Sequence, residues 1–490
     1  MTVVVNGRSD VNLSQLRRVA LEGEGARFAK KALASMAASH KAFQEYVAAN
    51  PGRFIYGVTS GYGPAAKARA SPEEGRARRN LPMPFIGLSF GDGVLPEFMV
   101  RAMVFASLAM FVEGNTAAHP ERAKMLAALL EDPMPKIPDQ GLTAPGEMMP
   151  FFHLYAGIPR FHGDGLQASS GNGAPATAGM IAVEAIFARR RLELAERFFA
   201  LSIEAFQAPL EHYDPALKKL WGDPYEAQTL DALNRHLAGA PRAGRRPYQA
   251  PVSYRIIPRV LGQARRAVAD LESAAQTTLG GLLSNPAYLP PSRRHPLGRT
   301  LSTGAFHNAL GPQALDAVTA SWVDLASLAH RHVVKLHRGE VSGLPDRLLP
   351  PGTDYMTGRS TTYMEFLPNG FIEEMRLLAQ PALLSPGEPG ASTQDDISAP
   401  GFAACRNAAR VGPLFDKVMA VLAAVASQAL QVTDRPAPPP LRDLLGDIRQ
   451  TFPPVHSRRV LGRDGARLAA AITRAVERGE PRLSPARGAR

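Results

Sequence analysis

The chain has 490 residues, of which 45% are hydrophobic and 20% are charged, a composition that excludes disordered and fibrous proteins and is typical of a folded globular one. Its net charge of +12 comes largely from scattered arginine pairs rather than from a basic motif interleaved with aromatic residues, so we expect no nucleic-acid partner and keep an anionic substrate or an acidic partner protein open. One cysteine, Cys405, excludes a disulfide framework and a cysteine-based metal cluster, and with no apolar signal segment and no membrane-length apolar run we expect a cytoplasmic protein.

Helices dominate the predicted elements. Helical patterns are predicted, in chain order, over 12–49 with a break near 23–25, 96–113, 121–131, 173–206, 256–283, 308–337 and 400–432. In the last of these, Val418, Leu422 and Val425 belong to the apolar stripe of a core-facing helix. Strand signals are few and short, for example at 3–5 and 54–58.

The spacing of these elements predicts the domain organisation. The N-terminal part has shorter elements and more glycine, whereas four or five helices of about 30 residues, each spanning roughly 45 Å, follow it. We therefore predict a mainly α protein with a head domain over 1–200, a long-helix bundle over 201–435, and a Pro-rich connector with a C-terminal helical tail over 436–490.

Common cofactor and metal motifs are absent from the sequence. The chain contains neither the P-loop motif nor HExxH, and its Gly-rich stretches lack the dinucleotide-binding pattern. His330, His332 and His337 cluster on one predicted helix, but their spacing does not place them on one face. We interpret them as structural or surface histidines, and we expect no metal site.

Four separated stretches contain residues suited to chemistry. They are "IYGVTSGYG" at 55–63, "VSYRIIPRVLG" at 252–262, "STGAFHN" at 302–308 and "STQDDIS" at 392–398. The candidate residues in them are Tyr56, Arg255, Phe306, His307, Gln394 and Asp395. An arginine in an otherwise apolar run usually pairs with a carboxylate of the protein or of a ligand. Each stretch also has a plain structural explanation, namely a Gly-rich turn, a buried ion pair, an aromatic residue at a helix start or a capping cluster.

Taken together and in this order, these stretches resemble the histidine and aromatic amino-acid ammonia-lyase family over about residues 50 to 432. They are similar to the family's YGV-T-GFG, YSLRCxPQxxG, SGGNFHG and xxQEDHVS motifs. The resemblance implies a head domain plus a bundle of very long helices, and a homotetramer in which three subunits build each active site. It also implies that Tyr56 is the catalytic base, and that the substrate is bound by Arg255, Phe306, His307, Gln394 and Asp395, the last in place of the family's Glu.

A further stretch, "IPDQGLTAPGEMMPFFH", is similar to the family's PxxGSVGASGDLAPLAH but differs at its reactive centre. In the family, the Ala-Ser-Gly triad cyclises and loses two waters, and the Ser side chain becomes the methylidene of the electrophile methylidene-imidazolone. The matching positions here are Ala144, Pro145 and Gly146. Proline has no hydroxyl to eliminate, and its ring already occupies its own nitrogen. We therefore expect no methylidene-imidazolone and no other cofactor, and an ordinary loop that leads into a helix at Met148.

The other departures from the family are selective. Positions that hold the amine and ring of the substrate in the family are here Ser170, Val252 and Ala305, whereas the potential base and the potential carboxylate clamp are kept. We expect a lyase-like enzyme that performs elimination, isomerisation or addition on an aromatic or conjugated small molecule bearing a carboxylate or acyl group. Two alternatives stay open: a non-catalytic homologue that binds a ligand or an acidic carrier or partner protein, and a conventional aromatic amino-acid ammonia-lyase.

Overall fold

The computed structural model describes residues 1–61, 63–71, 93–156, 173–350, 352–382, 396–480 and 482–483. This part of the chain is mainly helical, as predicted, and it separates into two compact units. Unit 1 comprises Met1–Ile186, Leu271–Leu315 and Pro381–Arg406, and unit 2 comprises Phe187–Asp270, Asp316–Gln380 and Asn407–Arg490. The division into three consecutive domains, 1–200, 201–435 and 436–490, stays a prediction.

The helices are, in chain order, α1 Leu13–Leu16, α2 Lys30–Ala49, α3 Glu97–Phe111, α4 Pro120–Ala128, α5 Met148–Ala156, α6 Pro175–Phe206, α7 Leu217–Trp221, α8 Pro224–His236, α9 Val252–Arg255, α10 Ile257–Leu279, α11 Leu310–His337, α12 Gly339–Ser342, α13 Leu367–Leu378, α14 Gly401–Val432, α15 Arg442–Thr451 and α16 Leu461–Arg478. The strands are β1 Thr2–Val5, β2 Gly25–Phe28, β3 Ala287–Leu289 and β4 Arg299–Leu301. The six predicted helices from 96–113 onward are confirmed as α3, α4, α6, α10, α11 and α14, with ends shifted by up to four residues. The helix expected from Met148 is confirmed as α5.

Two sequence predictions are wrong. The segment 12–49 is not one interrupted helix, because β2 lies at its break and pairs in parallel with β1, with Thr2 opposite Gly25 and Val5 opposite Phe28. In both strands every second residue is buried, which is the alternation of a β-strand with one face against the core. The segment 54–58 forms a turn rather than a strand, because Gly57 adopts a φ of 71° that bends the backbone.

Unit 1 is built around α3, whose residues from Met99 to Phe111 are all buried. Arg101 is the charged member of this buried run. Its guanidinium donates to three backbone carbonyls, those of Val19 (2.8 Å), Leu130 (2.9 Å) and Glu24 (2.7 Å). These hydrogen bonds satisfy the buried charge and connect α3 to the chain segments on either side of it.

Unit 2 contains buried charge that is paired. The guanidinium of Arg191 lies 3.1 Å from the carboxylate of Asp416, and both side chains are at most 5% exposed. Glu204, which is fully buried, accepts from both Arg245 and Arg435. A buried charge without its partner would destabilise the fold. These ion pairs therefore favour the packing of α6, which contains Arg191 and Glu204, against the segments that contain their partners.

Helix α14 is long and apolar enough to cross a membrane by length and composition alone, with a mean hydropathy of 1.4 over an 18-residue window. However, 89% of that window is buried within the protein. A helix whose surface is mostly apolar and mostly buried is typical of the core of a large protein.

Candidate functional site

The Tyr56 loop in unit 1 is held by hydrogen bonds within a short segment. The Thr59 hydroxyl donates to the Arg53 carbonyl at 2.6 Å and accepts from the Ile55 N–H at 2.8 Å. Ile55 also packs into a buried cluster with aromatic side chains of α2 and β3. The phenol oxygen of Tyr56 accepts from the Gly63 N–H at 3.1 Å. A backbone donor directed at a phenol oxygen stabilises negative charge on that oxygen, as a tyrosine base requires.

The loop at the altered triad has an unusual backbone. Ala144 is extended, and Pro145 begins a 3-10 turn in which the Glu147 N–H donates to the Ala144 carbonyl at 3.2 Å. Gly146 has a φ of 63° and Glu147 a φ of 51°. The left-handed region is easily reached by glycine but is uncommon for a residue with a side chain. The Gly146 carbonyl accepts from the Gly173 N–H at 2.8 Å, which ties the loop to the start of α6.

Glu147 holds this loop in its left-handed conformation. Its side chain is 0% exposed, and its carboxyl oxygens accept from the Thr177 N–H at 2.9 Å and from the Thr177 hydroxyl. Thr177 lies in the first turn of α6, so this carboxyl group caps that helix by accepting from one of its first N–H groups. Burial raises the pKa of Glu147 to about 8, although the hydrogen bonds from Thr177 oppose the shift. The sequence around Glu147, which stands just before an apolar run, gave no signal for this contact 30 residues further along the chain.

The buried thiol of Cys405 lies near Glu147. Burial raises the pKa of the Cys405 thiol well above its ordinary value, and the nearby Glu184 and Glu147 add to the shift. Gly401, at the start of α14, lies so close to Thr177 that a Cβ there would be 2.6 Å from the threonine Cγ2. The altered triad loop therefore rests on a closely packed contact between the beginnings of α6 and α14.

Arg255 is the last residue of α9 in unit 2, and its guanidinium makes no ion pair with the residues that the structure describes. Its Nε is buried and has no hydrogen-bond partner among the described residues. The buried ion pair considered for this stretch is therefore not present among them. His212 is a nearby group whose pKa is lowered, mainly by burial and further by the Arg255 charge. A half-buried guanidinium in this state is suited to an anionic group of a ligand.

Two buried side chains fix the backbone just before Arg255. The Tyr213 hydroxyl donates to the Tyr254 carbonyl at 2.9 Å, and the His332 Nε2 lies 3.0 Å from the Ser253 carbonyl. Burial lowers the pKa of His332 to about 4, so the imidazole is neutral near pH 7 and carries one N–H. Since a carbonyl only accepts, that N–H is on Nε2.

The same residues form an aromatic stack. The Tyr254 ring lies between Phe206, at a centroid distance of 4.1 Å, and His332, at 3.7 Å and an interplanar angle of 9°. With Nε2 donating, His332 Nδ1 accepts from the Ser202 hydroxyl at 3.0 Å. His332 therefore acts as a support beneath α9, a role that no sequence motif indicated.

The remaining predicted residues have different positions. Phe306 is half-buried and His307 is exposed, and both lie just before α11, which begins at Leu310. The next residue, Asn308, is buried and caps α11 by accepting from the Gly311 N–H at 3.1 Å. Gln394 and Asp395 lie outside the described residues.

The interpretation of the clustered histidines as structural is consistent with their surroundings. His330, His332 and His337 are all buried, and each ring makes a hydrogen bond within the protein. The described residues contain no group of three or more His, Cys, Asp or Glu side chains arranged to hold a metal ion.

The predicted site residues are divided between the two units. Unit 1 contains Tyr56, Ala144, Pro145, Gly146, Phe306 and His307, and unit 2 contains Arg255. The convergence of Tyr56 and Arg255 on one pocket stays a prediction.

The sequence and the fold are similar to those of known enzymes. A family model described as "Aromatic amino acid lyase" matches residues 11–159 and 162–450. The histidine ammonia-lyase of Geobacillus thermodenitrificans is 26% identical over 498 residues, covering 94% of this chain and 95% of that protein. A tyrosine aminomutase from Streptomyces globisporus superposes with a TM-score of 0.84 at 21% identity, covering 97% of this chain and 98% of the other. The ergothioneine-degrading enzyme ergothionase from Treponema denticola superposes with a TM-score of 0.85 at 15% identity, covering 98% and 100%.

Proposed function

The chain belongs to the aromatic amino acid lyase family, and we propose that it is an enzyme that works without methylidene-imidazolone on an anionic small molecule. Pro145, at the position where the family has the serine of its cofactor triad, is the observation that carries this proposal. The substrate we propose bears a carboxylate or acyl group on an aromatic or conjugated body. The reaction would be an elimination, an isomerisation or an addition.

The residues at 144–146 do not fit the self-made group. Forming it requires a bond from the Gly146 nitrogen to the Ala144 carbonyl carbon, followed by loss of a hydroxyl from residue 145. Pro145 has no hydroxyl, and its ring restricts φ to near −65°. The hydrogen bonds of the Ala144 and Gly146 carbonyls further support an open loop, because each carbonyl is already engaged by a backbone N–H. We therefore assign no step of the reaction to that electrophile.

Without an electrophile to activate an amine, the substrate itself must supply a good leaving group or an acidic C–H bond. Arg255 would bind its carboxylate, since its guanidinium has no carboxylate partner among the described residues. Tyr56 would then remove or deliver a proton, with the Gly63 N–H stabilising negative charge on its oxygen. The structures named tyrosine aminomutase and ergothionase support leaving the reaction type open, because enzymes named for different reactions share this fold.

We further propose a cytoplasmic homotetramer with composite active sites. Several large apolar side chains of unit 2 are exposed in the single chain, including Tyr363 (68%), Phe366 (62%) and Leu377 (77%). Exposed apolar groups of this size are typical of surfaces that a partner subunit covers. A stable monomer at micromolar concentration in light scattering would contradict both the assembly and the composite site.

The relatives named histidine ammonia-lyase favour a second candidate, a conventional ammonia-lyase. That reaction and the proposed one are distinguished by their products. A conventional lyase releases ammonia from an amino acid, whereas the proposed enzyme requires a substrate that is activated in another way.

Turnover of a panel of aromatic and conjugated carboxylates, together with their adducts bearing better leaving groups, tests the proposal. We expect Tyr56→Phe to abolish kcat and Arg255→Gln to weaken binding by about 2–5 kcal/mol, the loss of a desolvated charged contact. Tyr248→Phe and Arg463→Gln, which change exposed side chains, are the matched controls.

Three results would contradict the proposal. Full turnover by Tyr56→Phe would exclude Tyr56 as the base. Unchanged binding of every ligand by Arg255→Gln would exclude the carboxylate clamp. A ligand that is bound through Arg255 but never converted would favour the non-catalytic homologue.

A further inference from the structure

A cavity of about 350 Å³ lies in unit 2 between the end of α14 and one face of α15, and the proposed reaction does not use it. Helix α15 lines it with Arg442, Leu445, Gly446 and Arg449. These positions are spaced by three, four and seven residues, so they share one face of the helix. The two arginines are therefore two helical turns apart, about 10 Å along the axis, at either end of this lining.

The arginines that line the cavity differ in their partners. Arg435 belongs to the protein's own buried charge network, because its guanidinium lies 2.6 Å from the Glu204 carboxylate. Arg442 and Arg449 form no ion pair or side-chain hydrogen bond with the described residues, and the buried Nε of Arg449 has no partner there. Asp434 also lines the cavity, but it is exposed and forms no ion pair with either arginine.

Arg449 is half-buried, and none of the residues that the structure describes pairs its charge. Burial lowers the pKa of Arg449 because desolvation penalises its charged form, and no described carboxylate offsets that penalty. An oxyanion placed in the cavity would supply both the charge and the hydrogen-bond acceptors that Arg449 lacks.

Gly446 keeps the centre of this face open. It lies inside α15, where glycine lowers helix stability relative to alanine. A Cβ built on Gly446 meets no atom within 4 Å, so open space reaches the helix backbone between the two arginines. Leu430 and Leu445 add apolar walls to the lining.

We propose that this cavity binds a small oxyanion ligand, a phosphoryl or carboxylate group on a compact apolar body, held by Arg449 and Arg442. Guanidinium groups recognise both head groups by paired hydrogen bonds, and the apolar walls accommodate the rest of the molecule. The site is separate from Arg255 in the sequence and in its lining residues.

Calorimetric titration of the full-length protein with phenyl phosphate, benzoate and inorganic phosphate tests the proposal. We expect one site per chain for at least one probe, weakened at least about tenfold by Arg449→Gln. Gly446→Leu should weaken it similarly by filling the cavity without changing the charge. This variant should fold, because leucine favours helix more than glycine and the position has free space. The order of affinity for phenyl phosphate and benzoate identifies the preferred head group.

Arg463→Gln is the matched control, because it removes one exposed positive charge from the same unit outside the cavity. It should bind the probes as the unmodified protein does. The proposal would be overturned if no probe binds at millimolar concentration, or if Arg449→Gln and Gly446→Leu bind unchanged. Binding that is lost in Arg255→Gln but kept in the two cavity variants would also overturn it, since the probe would then occupy the proposed active site.

Discussion

Glu147 is expected to make the stability of the protein depend on pH between about 5 and 8. Its folded-state pKa is raised from the ordinary value of 4.5 to about 8 by complete burial. Below 4.5 the carboxyl is protonated in both the folded and the unfolded chain. Between the two values the unfolded chain releases this proton while the folded chain keeps it, so the free energy of unfolding falls as pH rises. Above about 8 both states are ionised and the loss is complete.

The size of the effect follows from the shift. Moving the pKa from 4.5 to about 8 corresponds to a loss on the order of 5 kcal/mol across the full range, and about 3 kcal/mol between about pH 5.5 and 8. Glu147→Gln removes the titration while its amide oxygen still accepts from the Thr177 N–H. The variant should therefore gain stability relative to the unmodified protein as pH rises, by about 3 kcal/mol over this interval.

Urea denaturation at several pH values measures this difference. Asp132→Asn, which changes an exposed acid in the same unit, is the control and should track the unmodified protein. If the free energies of unfolding of Glu147→Gln and the unmodified protein remain parallel between about pH 5.5 and 8, Glu147 is not a buried neutral acid and the described support of the loop is wrong.

Three further predictions concern other parts of the molecule. His332→Phe keeps a ring against Tyr254 but loses the donor to the Ser253 carbonyl. Because burial lowers the pKa of His332 to about 4, the unmodified protein should lose stability in urea denaturation as pH falls from about 6.5 toward 4, and the variant should lose less. Equal slopes of the free energy of unfolding against pH would contradict this. Arg101→Met leaves three backbone carbonyls without their donors and should lower the free energy of unfolding by about 3–5 kcal/mol in the same assay, whereas a change under about 1 kcal/mol would refute its structural role. Pro145→Ser restores the family's triad but should still not cyclise efficiently, since its neighbour is Glu147 instead of the family's Asp; a two-water mass loss with ammonia release from an aromatic amino acid would show that the pocket is still a lyase pocket.

The sequence predicted the long helices because their signal is local and repeated. In α14, apolar residues at three- and four-residue spacing, such as Val418 and Leu422, are buried as the pattern requires. The parallel pairing of β1 with β2 was missed because four-residue strands carry little periodic signal and their partner is separated by more than 20 residues. Residues 54–58 were mistaken for a strand because a short apolar run does not reveal that Gly57 takes a left-handed conformation.

The sequence predicted which residues belong to the candidate site, because the family's motifs occur in the same order along the chain. It did not predict the contacts between distant segments that orient those residues. Tyr56 and Arg255 were identified by their motifs, whereas their orientation depends on Gly63 and on the support from His332. The roles of Glu147 and Thr177 arise from a hydrogen bond across 30 residues, which no local pattern encodes. The proposed site beside Arg449 likewise depends on which buried arginines are paired with carboxylates, and this pairing is set only by tertiary packing.

The central claim, that the 144–146 segment is an ordinary peptide, is tested most directly by the mass of that segment. Intact-mass measurement of the purified protein, followed by mapping of the peptide that contains residues 140–155, should give the translated mass apart from processing of the first methionine. A deficit of two waters located in that peptide would contradict the account and would establish a self-made electrophile despite Pro145.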